Sequence, residues 1–122
     1  MKPFKAILVG MGILIAALAV LSLTLFNRQS SVMRMSSLMR EGRIGMESQD
    51  YDEAIEAYSL AIALNKRGAQ AYLRLAEACV LNGEPEDALY YLRLGMKNTN
   101  SQAIRDAYNA LLGELVAPSE ED

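Results

Sequence analysis

Residues 50–64 read DYDEAIEAYSLAIAL, and residues 84–98 read EPEDALYYLRLGMKN. Superposed, they pair Asp52 with Glu86, Ala54 with Ala88, Ile55 with Leu89, Tyr58 with Leu92 and Ala61 with Gly95, every pair at the same offset of thirty-four positions. Identity between the copies is modest, but the register is constant. A fixed period of this length marks a supersecondary unit stacked on a copy of itself.

Outward from these stretches the chain is patterned for helices. After residue 33 no run of alternating β-branched residues signals a strand. Five helices are expected, at roughly 33–47, 52–64, 69–82, 86–98 and 102–116. Their punctuation has local physical causes. Asp50 and Asp52 stand where carboxylates accept from unpaired N–H groups and face the positive end of the second helix. Gly83 suits a left-handed residue ending the third helix. Pro85 suits the first turn of the fourth, where its missing N–H costs nothing. Ser101 is placed to cap the fifth.

The period, the paired helices and the small residues resemble the tetratricopeptide repeat (TPR), whose pattern is a bulky residue, Leu-Gly, an aromatic, a later Ala, another aromatic, another Ala and a closing Pro. Residues 35–68 form one unit and 69–102 a second. Leu38 and Tyr72 take the opening bulky place, and Gly42 and Ala76 the small one. Tyr51 takes the aromatic between helices, with Pro85 as its counterpart. Ala54 and Ala88, Tyr58 and Leu92, and Ala61 and Gly95 follow in the second helices. The pattern is broken at Glu41, at Gly45 and Cys79, and at Lys66 and Asn100, where Leu, an aromatic and Pro are usual. Leu75 keeps the expected leucine. Gly42 and Gly45 each lower helicity by roughly 1 kcal/mol relative to alanine, so the first helix is expected to fray or bend unless its neighbours hold it.

The resemblance implies an all-α fold: a right-handed helical-hairpin solenoid of two units following an N-terminal transmembrane helix. Two units leave an apolar face open at each end. Ile104, Tyr108, Leu111 and Leu115 recur on one stripe of the last helix, which is read as a cap over 103–116, with Arg105, Asp106, Asn109 and Glu114 toward water. Residues 117–122 form an acidic tail.

The N-terminal end has a different composition. Residues 6–26, AILVGMGILIAALAVLSLTLF, hold no charge, and only Ser22 and Thr24 are polar. At helical rise these residues span roughly 30 Å, the depth of a bilayer core. Residues 1–26 are therefore read as a transmembrane anchor and 27–34 as a polar juxtamembrane linker. A secretory signal is the alternative, since Lys2 and Lys5 precede the span and Ala17-Leu18-Ala19 has a cleavage-like form. Cleavage there leaves the apolar stub VLSLTLF, which favours retention. A lipoprotein is excluded because the only cysteine, Cys79, lies far from the span, and the early glutamate of prepilin-like anchors is missing.

Net charge is −3, unevenly spread: residues 1–43 hold six basic and one acidic side chain, and residues 44–122 six basic and fourteen acidic. An acidic domain is a poor match for nucleic acid, whose affinity comes from neutralised phosphates. Lys2 and Lys5 lie tight against the start of the span, whereas only Arg28 and Arg34 follow it closely. The charges thus favour an inside N-terminus and an extracytoplasmic repeat domain over a cytosolic one. A single cysteine makes no internal disulfide and is read as a buried apolar side chain.

Nothing here suggests an enzyme. The chain has no histidine, no glycine-rich phosphate loop, no nucleophile paired with a nearby base and no spacing for a metal or cofactor. The acidic run Glu84, Glu86, Asp87 is read as helix-start surface, and Tyr58, Tyr72 and Tyr108 as packing. The resemblance implies a groove instead, lined by the first helix of each pair and suited to a peptide or helix of a protein partner. Carried over by position, the groove comprises Met39, Arg43 and Met46, then Leu73, Glu77 and Val80, with Arg74 at its edge and Tyr108 and Leu111 continuing it. The carboxylate clamp for chaperone tails is not implied, because Met39, Arg43 and Arg74 stand where it needs Lys and Asn. Two functions follow. One is a membrane-tethered scaffold or adaptor holding lipid through residues 6–26 and a protein in the groove. The other is a structural subunit of a membrane or envelope complex, self-associating as a homo-oligomer through the anchor, where Gly10, Gly12, Ala16 and Ala19 permit close approach, and through the open repeat face.

Overall fold

In a computed structural model, which describes residues 2–117, the chain is helical throughout: α1 (Lys2–Glu47), α2 (Tyr51–Leu64), α3 (Ala69–Leu81), α4 (Pro85–Asn98) and α5 (Gln102–Val116). No strand occurs among the described residues. The expected tail lies, from residue 118 on, outside them. The chain forms two compact units, Met1–Arg34 and Met35–Asp122.

The described residues of the first unit are helix alone. Residues 27–34, read from their polarity as a linker, lie within α1. Polarity does not break a helix; glycine and proline do, and residues 13–41 contain neither. The Ser30 and Ser31 hydroxyls donate to the Asn27 and Arg28 carbonyls at 2.9 and 2.8 Å, which satisfies them without leaving the helix.

The second unit holds TPR-type helical repeats, with α2 packed on α3, α3 on α4, and α5 on both α4 and α3. Its core is built from Tyr58, Tyr72, Leu75, Leu92 and Ile104 set among Ala54, Ala61, Ala71, Ala78 and Ala88. Alanines at these seams bring backbones close, and the few large side chains fill the remaining volume. Tyr72 is fully buried, and its hydroxyl is nonetheless satisfied: it donates to the Lys66 carbonyl at 2.9 Å and accepts from Asn98 Nδ2 at 3.0 Å.

Caps set the helix ends. Asp50 accepts from the Glu53 N–H at 3.2 Å, and Ser101 from the Ile104 N–H at 3.4 Å, as the sequence implies. Asp52 does something else: it lies inside α2 and accepts from Asn82 Nδ2 at 3.0 Å, tying the start of α2 to the end of α3. Gly83 has φ +79°, with its N–H on Val80 O and the Glu84 N–H on Cys79 O, a Schellman ending. Its counterpart one repeat earlier, Gln49, has φ +61° and closes α1 with an N–H bond to Met46 O. A side chain is strained there, by about 1–2 kcal/mol. Gln49→Gly is therefore expected to stabilise the protein by about 0.5–1 kcal/mol once the extra chain entropy of glycine is subtracted. A urea melt of the two proteins checks it.

The first helix, expected to fray or bend unless its neighbours hold it, runs as α1 to Glu47 with α2 against it. Both glycines there are points of close approach. A Cβ on Gly42 would strike the Tyr58 ring, and one on Gly45 would lie 2.8 Å from the Ala54 nitrogen. The cap on the second repeat is shorter than its stripe suggests. Ile104 is fully buried and Tyr108 and Leu111 pack on the core, but Leu115 is 42% exposed.

Cys79 is buried as expected, and burial, reinforced by Asp87 and Glu84, pushes its thiol up to about 11. A raised value favours the neutral form in the folded protein. This contribution is complete below the ordinary thiol value of 9.0 and is lost as pH rises through about 11. Alkaline destabilisation over that interval is expected to be shallower in Cys79→Ala than in the parent, as read by urea melts across the interval. Equal slopes would show that the thiol ionises freely in the fold.

Candidate functional site

Two hollows lie along the first helices of the repeats. One, of about 750 Å³, is formed by Met39, Arg40, Arg43 and Met46 of α1, Tyr58 of α2, and Gln70, Arg74 and Glu77 of α3. The other, of about 340 Å³, lies between α3 and α5, with Leu73, Ala76, Glu77, Val80 and Leu81 on one wall and Ala107, Ala110, Leu111 and Glu114 on the other. Leu92 of α4 also lines it. Glu77 borders both hollows.

The walls follow the repeat. Met39 and Leu73, Arg40 and Arg74, Arg43 and Glu77, and Met46 and Val80 are each one period apart, and on α5 Ala107, Ala110, Leu111 and Glu114 continue the series from Leu73, Ala76, Glu77 and Val80. The last helix thus occupies the place of a third first helix. This explains why a hollow forms on each side of α3.

Of the residues carried over from the family pattern, Met39, Arg43, Met46, Arg74 and Glu77 meet at the first hollow, and Leu73, Glu77, Val80 and Leu111 at the second. Tyr108 borders neither. Its hydroxyl is 3.2 Å from Arg93 Nη2, and the Arg93 guanidinium lies 5.9 Å from its ring centroid, so it belongs to the seam between α4 and α5. Arg40, Gln70 and Ala110 also line the hollows, at places the family pattern does not mark. The register of the repeat was the available signal, since Arg40 stands to Arg74 as Met39 stands to Leu73.

The hollows differ in chemistry. The first combines three arginines and one glutamate with Met39, Met46 and the Tyr58 ring. Arg74 Nη1 is 3.0 Å from Glu77 Oε2, and Arg43 Nε is 3.9 Å from Glu47 Oε1. The Tyr58 hydroxyl is held above its usual value, first by burial and then by Glu77 and Glu47, with Arg74 and Arg43 opposing. The second hollow is mostly aliphatic, with Glu77 and Glu114 the charged residues among the described ones that line it. Among the described residues no group of three or more His, Cys, Asp or Glu is placed to hold a metal ion.

Residues 42–83 match a family model described as a TPR repeat, which supports the tetratricopeptide family. The matched segment starts at Gly42, where α1 meets Tyr58, and ends at the left-handed Gly83. Comparison with curated proteins and with solved structures gives no match.

Proposed function

We propose that this chain is a membrane-tethered interaction module, a scaffold or adaptor that receives a peptide or helix of a protein partner in the groove along α1, α3 and α5. TPR repeats mediate protein–protein interaction, and the observation that carries the reading here is the pair of hollows in one register on both sides of α3. Shape recognition of this kind uses packed side chains and needs no reactive group.

Residues 6–26 supply the tether. Helix α1 is long and apolar enough to cross a membrane, and its large apolar side chains from Ile7 to Leu25 are exposed within their unit. Lipid is the solvent that suits such a surface. The span stays attached, with the repeats on the extracytoplasmic side, the orientation that Lys2 and Lys5 favour. Intact mass of the protein purified from membranes is expected to include residues 1–26; a mature chain that begins after Ala19 overturns the tether.

The groove is tested by a photoreactive side chain placed singly at Val80 or at Glu56, the latter on exposed α2 surface and bordering neither hollow. Crosslinking of one protein from Val80 and not from Glu56 is the expected result. The second reading, a self-associating structural subunit, is favoured by the apolar surface left on α5, where Leu112, Leu115 and Val116 are exposed. In that case the protein crosslinked is a second copy of this chain, and sedimentation in detergent shows a concentration-dependent mass.

A further inference from the structure

We propose that the segment received in the groove is acidic: a peptide whose aspartate or glutamate side chains sit in the first hollow while a neighbouring aliphatic residue enters the second. The inference rests on the groove reading and names the chemistry of its occupant.

Its ground is a local reversal of charge. Residues 35–122 carry fifteen acidic and eight basic side chains, yet the first hollow is bordered by Arg40, Arg43 and Arg74 against Glu77 alone. Glu77 is engaged by Arg74 at 3.0 Å. Arg43 reaches Glu47 only at 3.9 Å, with both side chains about 70% exposed, a contact that water screens. Arg40 makes no ion pair among the described residues. Two guanidinium groups are thus left with unspent capacity for the forked hydrogen bonds that carboxylates accept.

The same surroundings discriminate among anions. An extended polyanion, such as nucleic acid or a charged bilayer surface, would meet the acid-rich remainder of the domain and be repelled. A short peptide places a few carboxylates at the arginines and nowhere else. Met39, Met46 and Tyr58 supply an adaptable apolar floor beneath them. Beyond Glu77, the hollow bordered by Leu73, Val80, Leu81 and Leu111 takes an aliphatic side chain.

The test pans a random short-peptide display library against the full-length chain in phosphatidylcholine nanodiscs. Selected peptides are expected to carry at least two Asp or Glu beside Leu, Ile or Met. Arg40→Glu with Arg43→Glu, both exposed positions, is expected to weaken them about tenfold or more, and added salt to weaken them in the parent. Circular dichroism melts verify that the variant folds. Neutral or basic selected peptides, no selected peptide, or acidic peptides indifferent to the arginines each overturn the proposal. So does charge-reversal-sensitive binding to phosphatidylserine vesicles without peptide selection, which assigns the arginines to lipid headgroups. The underlying reading is separated by Val80→Asp. If that variant loses the peptides and the arginine variant does not, the groove stands and the acidic occupant falls; if neither matters, the groove itself falls.

Discussion

Gly42→Ala should destabilise the protein even though alanine is the better helix former by about 0.8–1 kcal/mol. The new methyl group would lie 2.6 Å from Cδ1 and Cζ of Tyr58, a side chain only 2% exposed. Overpacking of this kind costs typically about 1–3 kcal/mol. The repeat names the compensating change. One period on, the equivalent places hold Ala76 and Leu92, an alanine with a medium side chain where the first repeat has a glycine with a large one. Tyr58→Leu in the Gly42→Ala background is therefore expected to recover stability, with a coupling of about 1–3 kcal/mol in a double-mutant cycle read from urea melts of the full chain. Additive effects would show that the two positions do not share one volume. Gly113→Ala is the control. It lies within α5 with nothing within 4 Å of its missing Cβ, and a gain of about 1 kcal/mol is expected there.

A second exchange runs the other way. A Cβ on Gly95 would lie 2.9 Å from Cγ of Tyr72 and 3.1 Å from Ile104, whereas the equivalents of Tyr72 and Gly95 in the first repeat are Leu38 and Ala61. Each repeat thus sets one glycine against one tyrosine, with the glycine on the first helix in one and on the second helix in the other. This is the part of the fold that the sequence conceals. Read singly, Gly42 is a poor helix former, and only the ring above it turns that defect into a fit. By contrast, Asp50, Ser101 and the Gly83–Pro85 turn are legible directly, because caps and turns depend on neighbours along the chain.

The candidate site divides in the same way. Met39, Leu73 and Val80 follow from the period, since a helix repeats its exposed face wherever the repeat does. Tyr108 does not follow. It matches Arg74 in register, but Arg74 lies at the first hollow beside α1, whereas the Tyr108 hydroxyl lies 3.2 Å from Arg93 Nη2 in the seam between α4 and α5. Leu115 lies outside the seam for a similar reason, since the stripe on α5 is longer than the surface beneath it. The run 27–34 lies within α1 because a polar segment that holds neither glycine nor proline keeps its helix.

Leu73→Asp together with Met39→Asp should abolish partner capture, and the separation of the hollows sharpens that expectation. The two residues stand one period apart on equivalent faces, but Met39 borders the hollow between α1 and α3 while Leu73 borders the one between α3 and α5. A segment that spans Glu77 touches both and is weakened by either change. One confined to a single hollow is weakened by only one. A carboxylate in an apolar contact is either buried unpaired or keeps its water, at a cost of about 2–4 kcal/mol, or roughly 30- to 1,000-fold in affinity. Leu73 also packs on the core, so its variant is paired with Val80→Asp, at a residue already 41% exposed, to separate lost binding from lost folding. Glu56→Lys, at an exposed α2 position bordering neither hollow, is expected to spare capture; Arg93 is unsuitable as a control because it engages Tyr108. Capture is measured with the partner crosslinked from Val80, at equal helicity of all variants. If Glu56→Lys loses it and the hollow variants keep it, the interaction surface is the outer face of the second helices, and the register shared by α1, α3 and α5 serves packing alone.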